Sequence, residues 1–224
     1  MSSSTSHELS KYAEPQLQGL IDLDVLWRIL SLLSDPEEPD EEERFKTVHN
    51  IAQVCRAWRM FTLDSASIWA SMVCLNVLNK SSEQWREEFM RRTRNAPLSI
   101  YGTLDTWHND PVLRPQEVFF LSLFAELHRI RIFRVHIQEG YFSPKSALDI
   151  LWTSPAPILE EFHLRTNNSF SIYRPKIPGG RLFKDHAPRL RLFSWPQLAF
   201  SYNVSWAEQL TQRDVIVHAD FDPH

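Results

Sequence analysis

The sequence predicts an α/β protein in two parts: a unit of three helices, then a short, irregular solenoid of parallel strands. Three observations predict it. An apolar helical pattern runs from Leu23 to Leu33. After an acidic insert, apolar residues recur at helical spacing as far as Ile68-Trp69. Beyond residue 97, a short alternating apolar pattern starts at Ile130, Leu159 and Leu190, 29 and 31 residues apart.

The first helix is apolar on too many sides for one core. At about 100° per residue, Asp24, Arg28 and Ser31 share one narrow strip and apolar residues cover roughly 220°. A helix on one core needs a stripe of only about 100° or a little more. The excess implies two apolar contacts, one internal and one with a partner. Val25, Ile29 and Leu32 form one edge of the arc and Leu23, Trp27 and Leu30 the other; the sequence does not say which edge faces the partner. Asp22 is positioned to cap the helix. Residues 35–43, DPEEPDEEE, carry two prolines and seven acids and are expected to form a solvated loop.

Phe45, Val48, Ile51, Ala52 and Cys55 then recur at helical spacing. Trp58, Phe61, Ile68 and Trp69 complete the pattern, and both tryptophans are expected in the core. The order of apolar helix, loop, Val54-Cys55-Arg56, Trp58-Arg59 and Ile68-Trp69 resembles the F-box, a three-helix module. The resemblance implies docking on a Skp-type adaptor and, through it, on a cullin–RING ubiquitin ligase. The residues it implicates, in adaptor contact or in the unit's own core, are Ile21, Asp22, Val25, Ile29, Leu32, Ile51, Val54, Cys55, Trp58, Ile68 and Trp69. The family usually opens with Leu-Pro where Ile21-Asp22 stand here, and its loop after the first helix is shorter and less acidic.

Composition narrows the function classes. The 24 Lys and Arg against 28 Asp and Glu leave a net charge of −4, and no helix carries the basic face of a nucleic-acid reader. No run approaches a membrane span, and the Ser-rich start lacks the apolar region of a signal peptide. Cys55 and Cys74, the only cysteines, read as buried thiols of a reducing compartment. A cytosolic or nuclear protein is expected, with no nucleic-acid or membrane partner.

Residues 1–19 are polar and expected to be disordered. Residues 68–78 read as an extended segment. Ser81 with Gln84 forms a capping box for a helix from about Ser82 to Arg94, with Trp85 and Phe89 on its apolar face and Glu87–Arg91 and Glu88–Arg92 as i,i+4 pairs. Asn95-Ala96-Pro97 stops it before a strand, Leu98–Tyr101, and residues 102–114 read as loop. This helix followed by NAPLSI also looks like the continuation in fungal-type F-box proteins. Pro115 opens an apolar helix to about Leu127, and Ser143-Pro144 opens another to Thr153. Before the third repeat strand only a short turn near Leu182-Phe183 is expected. Trp206 and Leu210 suggest one covering turn, and Val215-Ile216-Val217 a last edge strand.

The repeat pattern, L-x-x-L-x-L with apolar substitutes, is similar to irregular leucine-rich repeats. The resulting domain reading is an F-box at 20–72, a linking helix at 73–96, a leucine-rich-repeat-like solenoid with parallel strands at 97–218 and a tail at 219–224. Period-two alternation sends Phe133, Val135, Phe162, Leu164, Phe193 and Trp195 inward. It sends Ile132, Arg134, His136, Glu161, His163, Arg165, Leu192 and Ser194 to the other face, the candidate target-binding face for an acidic or phosphorylated segment.

Signals for catalysis are thin. The five glycines form no phosphate loop, and neither G-x-S-x-G nor H-E-x-x-H occurs. The expectation is a non-catalytic subunit without cofactor or metal that recruits an unknown protein target to an SCF-type ligase. The alternatives are an adaptor-binding or truncated F-box protein without a ligase role, and a structural scaffold.

Overall fold

The first helix, α1 (Leu23–Leu33), packs on α2 (Glu41–Ile51), and α3 (Arg56–Asp64) and α4 (Ala66–Ala70) follow. The computed structural model describes residues 23–33, 41–104, 114–138, 150–166, 181–195 and 204–210. The acidic run is not all loop. Its last three glutamates form the first turn of α2, where the positive end of the helix dipole favours carboxylates. Cys55, in extended conformation, precedes α3. The Nε of Arg59 donates to the Ala52 carbonyl at 3.1 Å, satisfying a carbonyl beyond the end of α2.

Residues 68–78 are not extended. Ile68–Ala70 finish α4, β1 is only Val73–Cys74, and Leu75–Leu78 form the short helix α5. The next helix, α6 (Glu83–Thr93), is capped by Ser82 rather than Ser81, its Oγ accepting from the Trp85 N–H at 3.3 Å. On α6, Glu88 accepts from both Arg91 and Arg92, at 2.6 and 2.8 Å, in place of the expected Glu87–Arg91 pair. Those hydrogen bonds, Arg91's first, hold the Glu88 carboxyl down at about 2.

The strands β2 (Leu98–Leu104), β3 (Ile130–Ile137), β4 (Glu161–Thr166) and β5 (Leu192–Ser194) join β1 in a parallel sheet, β1-β2-β3-β4-β5, in chain order. The helix α7 (Arg114–Ala125) lies between β2 and β3 in the chain. Register aligns Val73, Ile100, Phe133, Phe162 and Phe193 in one inward row. Parallel strands about 4.8 Å apart bring equivalent rings to stacking distance. Phe133 stacks on Phe162 at 5.1 Å and 10°, and Phe162 on Phe193 at 5.6 Å and 12°. Phe124 of α7 covers Phe133 at 5.3 Å. At the other end, Phe193 meets Trp206, which sits in the turn Ser205–Gln209. The six side chains expected to point inward are all buried. The turn near Leu182-Phe183 is present as Leu182–Asp185. Of the helix expected from Pro144, only 150–153 falls within the described residues, and those are helical. Residues 1–22 and Val215–Val217 lie outside them.

β2 continues past its expected end because Gly102 is a strand residue with φ of +112°. A Cβ there would stand 2.6 Å from Oδ1 of Asn76 on α5. That oxygen accepts the Thr103 N–H at 2.6 Å, replacing the ladder bond that two-residue β1 does not reach.

Trp69 belongs to the sheet's core rather than to the small cluster of Leu26, Leu30, Val48, Ile68 and Met72 between the helices. Its Nε1 donates to the Thr62 carbonyl at 2.7 Å and its ring meets Phe89 edge-on at 5.4 Å. Phe89 stacks on Phe45 of α2 at 5.9 Å. Removing such a side chain costs about 3–5 kcal/mol, so Trp69→Ala is expected to lower the urea midpoint of helical and sheet signals together. Gly102→Ala strains the backbone and displaces Asn76, with an expected loss of about 1–3 kcal/mol in the same assay.

Candidate functional site

Two surfaces carry the residues singled out from the sequence. On α1, Leu26 and Leu30, one turn apart, are 1% and 0% exposed and pack on Val48, Ile68 and Met72. Val25, Ile29 and Leu32, at i, i+4 and i+7, face outward at 51%, 38% and 65% exposure. The outer edge is therefore Val25–Ile29–Leu32. The other edge divides, with Leu30 in the core and Trp27 about half exposed. Among the described residues, six of the seven exposed large hydrophobics fall between Val25 and Met60: Val25, Trp27, Ile29, Leu32, Val54 and Met60. A concentration of this kind marks an interaction surface.

The remaining residues of the helical unit divide between surface and interior. Ile68 and Trp69 are buried, so they shape the unit rather than meet a partner. Ile51 and Trp58 are half-buried against the small cluster. Trp58 thus falls short of the full burial expected of it, because the cluster it packs on has only five buried residues. Cys55 is a half-buried free thiol. Ile21 and Asp22 lie outside the described residues. Trp27 and Met60 were not recognisable as outward-facing from periodicity alone; both sit beside core positions.

The second surface is the sheet face opposite the phenylalanine row. Register sets Tyr101, Arg134, His163 and Ser194 side by side, with Thr103, His136 and Arg165 in the next row and Ile132, Glu161 and Leu192 in the row on the other side. It is not the open face expected. Ile132 is 5% exposed, and Tyr101, which sequence reasoning missed, is 1% exposed. Arg134 is tied diagonally to Glu161, Nε to Oε2 at 2.9 Å. Arg165 is exposed, and His136, His163, Leu192 and Ser194 are half-buried. Part of the covering comes from Arg44 of α2, whose guanidinium lies 5.6 Å over the Tyr101 ring. Neither Arg44 nor Tyr101 falls in a repeat, and the alternation of LSIYGTL past Gly102 was the signal for the latter.

Burial pushes the Tyr101 phenol up to about 12, against the opposing pull of the Ser99 hydroxyl and the charges of Arg134, Arg44 and Arg131. Its folded value lies above the ordinary 10.0. It therefore contributes stability that is full below about pH 10 and is lost as pH rises towards about 12. One of the five tyrosines is expected to titrate late in tyrosinate absorbance, and Tyr101→Phe is expected to remove that late step.

Among the described residues no cluster of His, Cys, Asp or Glu is arranged to hold a metal ion, and no helix is long and apolar enough to cross a membrane. A family model described as F-box-like matches residues 23–75, so the chain carries an F-box-like domain spanning α1 to the start of α5. No curated protein and no solved structure matches the chain.

Proposed function

We propose that the chain, through this F-box-like domain, is a substrate-recruiting subunit of an SCF-type cullin–RING ubiquitin ligase. Domains of this family generally bind Skp-type adaptors within such ligases and are generally non-catalytic. The carrying observation is the outward Val25–Ile29–Leu32 edge inside the matched span. Covering an exposed row of that size with a second protein gains about 25 cal/mol per Å² of apolar surface buried. The part beyond α6 is read as a short, irregular leucine-rich-repeat-like solenoid whose sheet face holds a protein target. Parallel strands stacked in chain order support that reading. The chain then contributes proximity rather than chemistry, since two contacts on one body raise the effective concentration of target at the ligase. The reading carries a cytoplasmic or nuclear location with it.

Co-purification with a Skp-type adaptor tests the first contact. Val25→Asp and Leu32→Asp are expected to abolish it while circular dichroism retains the helical content. Leu30→Asp is expected to unfold the helical unit, because an isolated carboxylate has no place among Leu26, Val48 and Ile68. Retained adaptor binding in folded Val25→Asp and Leu32→Asp proteins would reject the outer edge as the docking surface. Ubiquitination of a co-purified partner, lost on Val25→Asp, tests the ligase role.

A further inference from the structure

We propose that the turn Ser205–Gln209 is a lid on the end of the aromatic row, fastened by Asp185, which opens while the sheet stays folded. What drives opening is the strained backbone of the turn to which it is fastened.

Phe183, Lys184 and Asp185 have φ of 55°, 51° and 56°. The left-handed region disfavours any residue with a Cβ, and chains normally visit it one residue at a time. None of the three is glycine, and Phe183 is fully buried. Phe162 at 5.4 Å and Phe193 at 6.5 Å hold the Phe183 ring in the core. Lys184 is exposed, so no packing of its side chain accounts for its φ. Such conformations persist only where the surroundings impose them. The lid imposes them through Asp185, whose Oδ1 accepts the Ser205 N–H at 2.7 Å and whose carbonyl accepts the Ser205 Oγ–H at 3.2 Å. Trp206 sets its ring against Phe183 at 5.8 Å and donates from Nε1 to the Leu182 carbonyl at 3.3 Å.

The fastening is light for what it covers. Ser205 is exposed, and the Arg181 side chain that engages Asp185 is 59% exposed, so water competes for both contacts. Among the described residues, no backbone–backbone hydrogen bond joins 204–210 to another segment. β2, β3 and β4, by contrast, are each laddered on both sides. A segment with few such bonds opens at a small fraction of the global cost. Closed, Trp206 covers Phe183 and Phe193. Open, both rings meet water, and Lys184 and Asp185 relax to ordinary backbone. A two-state element responds to whatever engages one state better than the other. Whatever takes Asp185 from Ser205 therefore uncovers the apolar end of the sheet.

Amide hydrogen exchange of the full chain, read by mass spectrometry, tests the lid. Peptides spanning 204–210 are expected to be less protected than those of β3 and β4 by about tenfold or more. Lys184→Gly, which removes the Cβ from a left-handed position, is expected to raise lid protection about threefold or more. Lys184→Ala keeps that Cβ and is expected to change little, which separates strain from the lost charge. Asp185→Ala is expected to lower lid protection about fivefold or more and to leave β3 and β4 as they are. The lid is rejected if 204–210 and the strands are equally protected, or if Asp185→Ala deprotects both together or unfolds the chain. Unchanged lid protection in folded Asp185→Ala rejects the fastening. A Lys184→Gly protein that matches Lys184→Ala, or whose lid is less protected, rejects the strained turn as the driving element.

Discussion

The packing of Trp69 against Phe89, and of Phe89 against Phe45, is the contact on which the rest of the architecture depends. Trp69 comes from α4, Phe89 from α6 and Phe45 from α2, so one aromatic cluster draws together the helical unit and the sheet core. Arg92 lies over the Trp69 ring at 5.1 Å and over Trp85 at 5.7 Å, closing the cluster with a cation. Because Glu88 holds Arg92, the cation is positioned rather than free to leave for water. A buried joint of this kind differs from a flexible linker. It fixes the direction in which α1 presents its outer edge relative to the sheet face.

That joint also accounts for the unequal division of apolar surface in the helical unit. Trp69 and Phe45 are committed to the sheet, leaving the cluster beneath α1 with Leu26, Leu30, Val48, Ile68 and Met72. Such a cluster covers one face of α1 and no more. The outer edge stays exposed, and Trp58 stays half exposed beside it. A three-helix unit that built its core from all its aromatics would have less apolar surface to offer a partner. Stability borrowed from the sheet permits the exposed edge.

Much of this was legible in the sequence where a local period decided the outcome. The limits of α1 and the inward row Phe133–Phe162–Phe193 follow from spacing, because 3.6-residue and two-residue periods report which side of an element is covered. The same reasoning failed where covering came from a distant segment. Ile132 alternates correctly onto the second face but is buried there, and Tyr101 is hidden with the help of Arg44, 57 positions earlier in the chain. Arg44 itself sits next to three glutamates and reads as a solvated charge. The division of the α1 arc was likewise invisible, since Leu30 and Ile29 are equally apolar and only the position of α2 separates them.

The two ends of the sheet show how the fold handles strand edges. At the first edge β1 is two residues long, and α5 brings Asn76 back to accept the Thr103 N–H that β1 cannot reach. At the other, β5 spans three residues and the turn holding Trp206 folds over Phe193. Trp206 is 1% exposed and donates from Nε1 to the Leu182 carbonyl at 3.3 Å. Short edge strands offer few unpaired backbone groups to another chain, but an aromatic row that ended on Phe193 would still expose a ring face. Asp185 fastens the covering turn, its Oδ1 accepting the Ser205 N–H at 2.7 Å while Arg181 engages Oδ2. Those contacts, the Ser205 N–H first, hold the Asp185 carboxyl below the usual carboxylate range. The aromatic row is thus closed by α7 at one end and by Trp206 at the other.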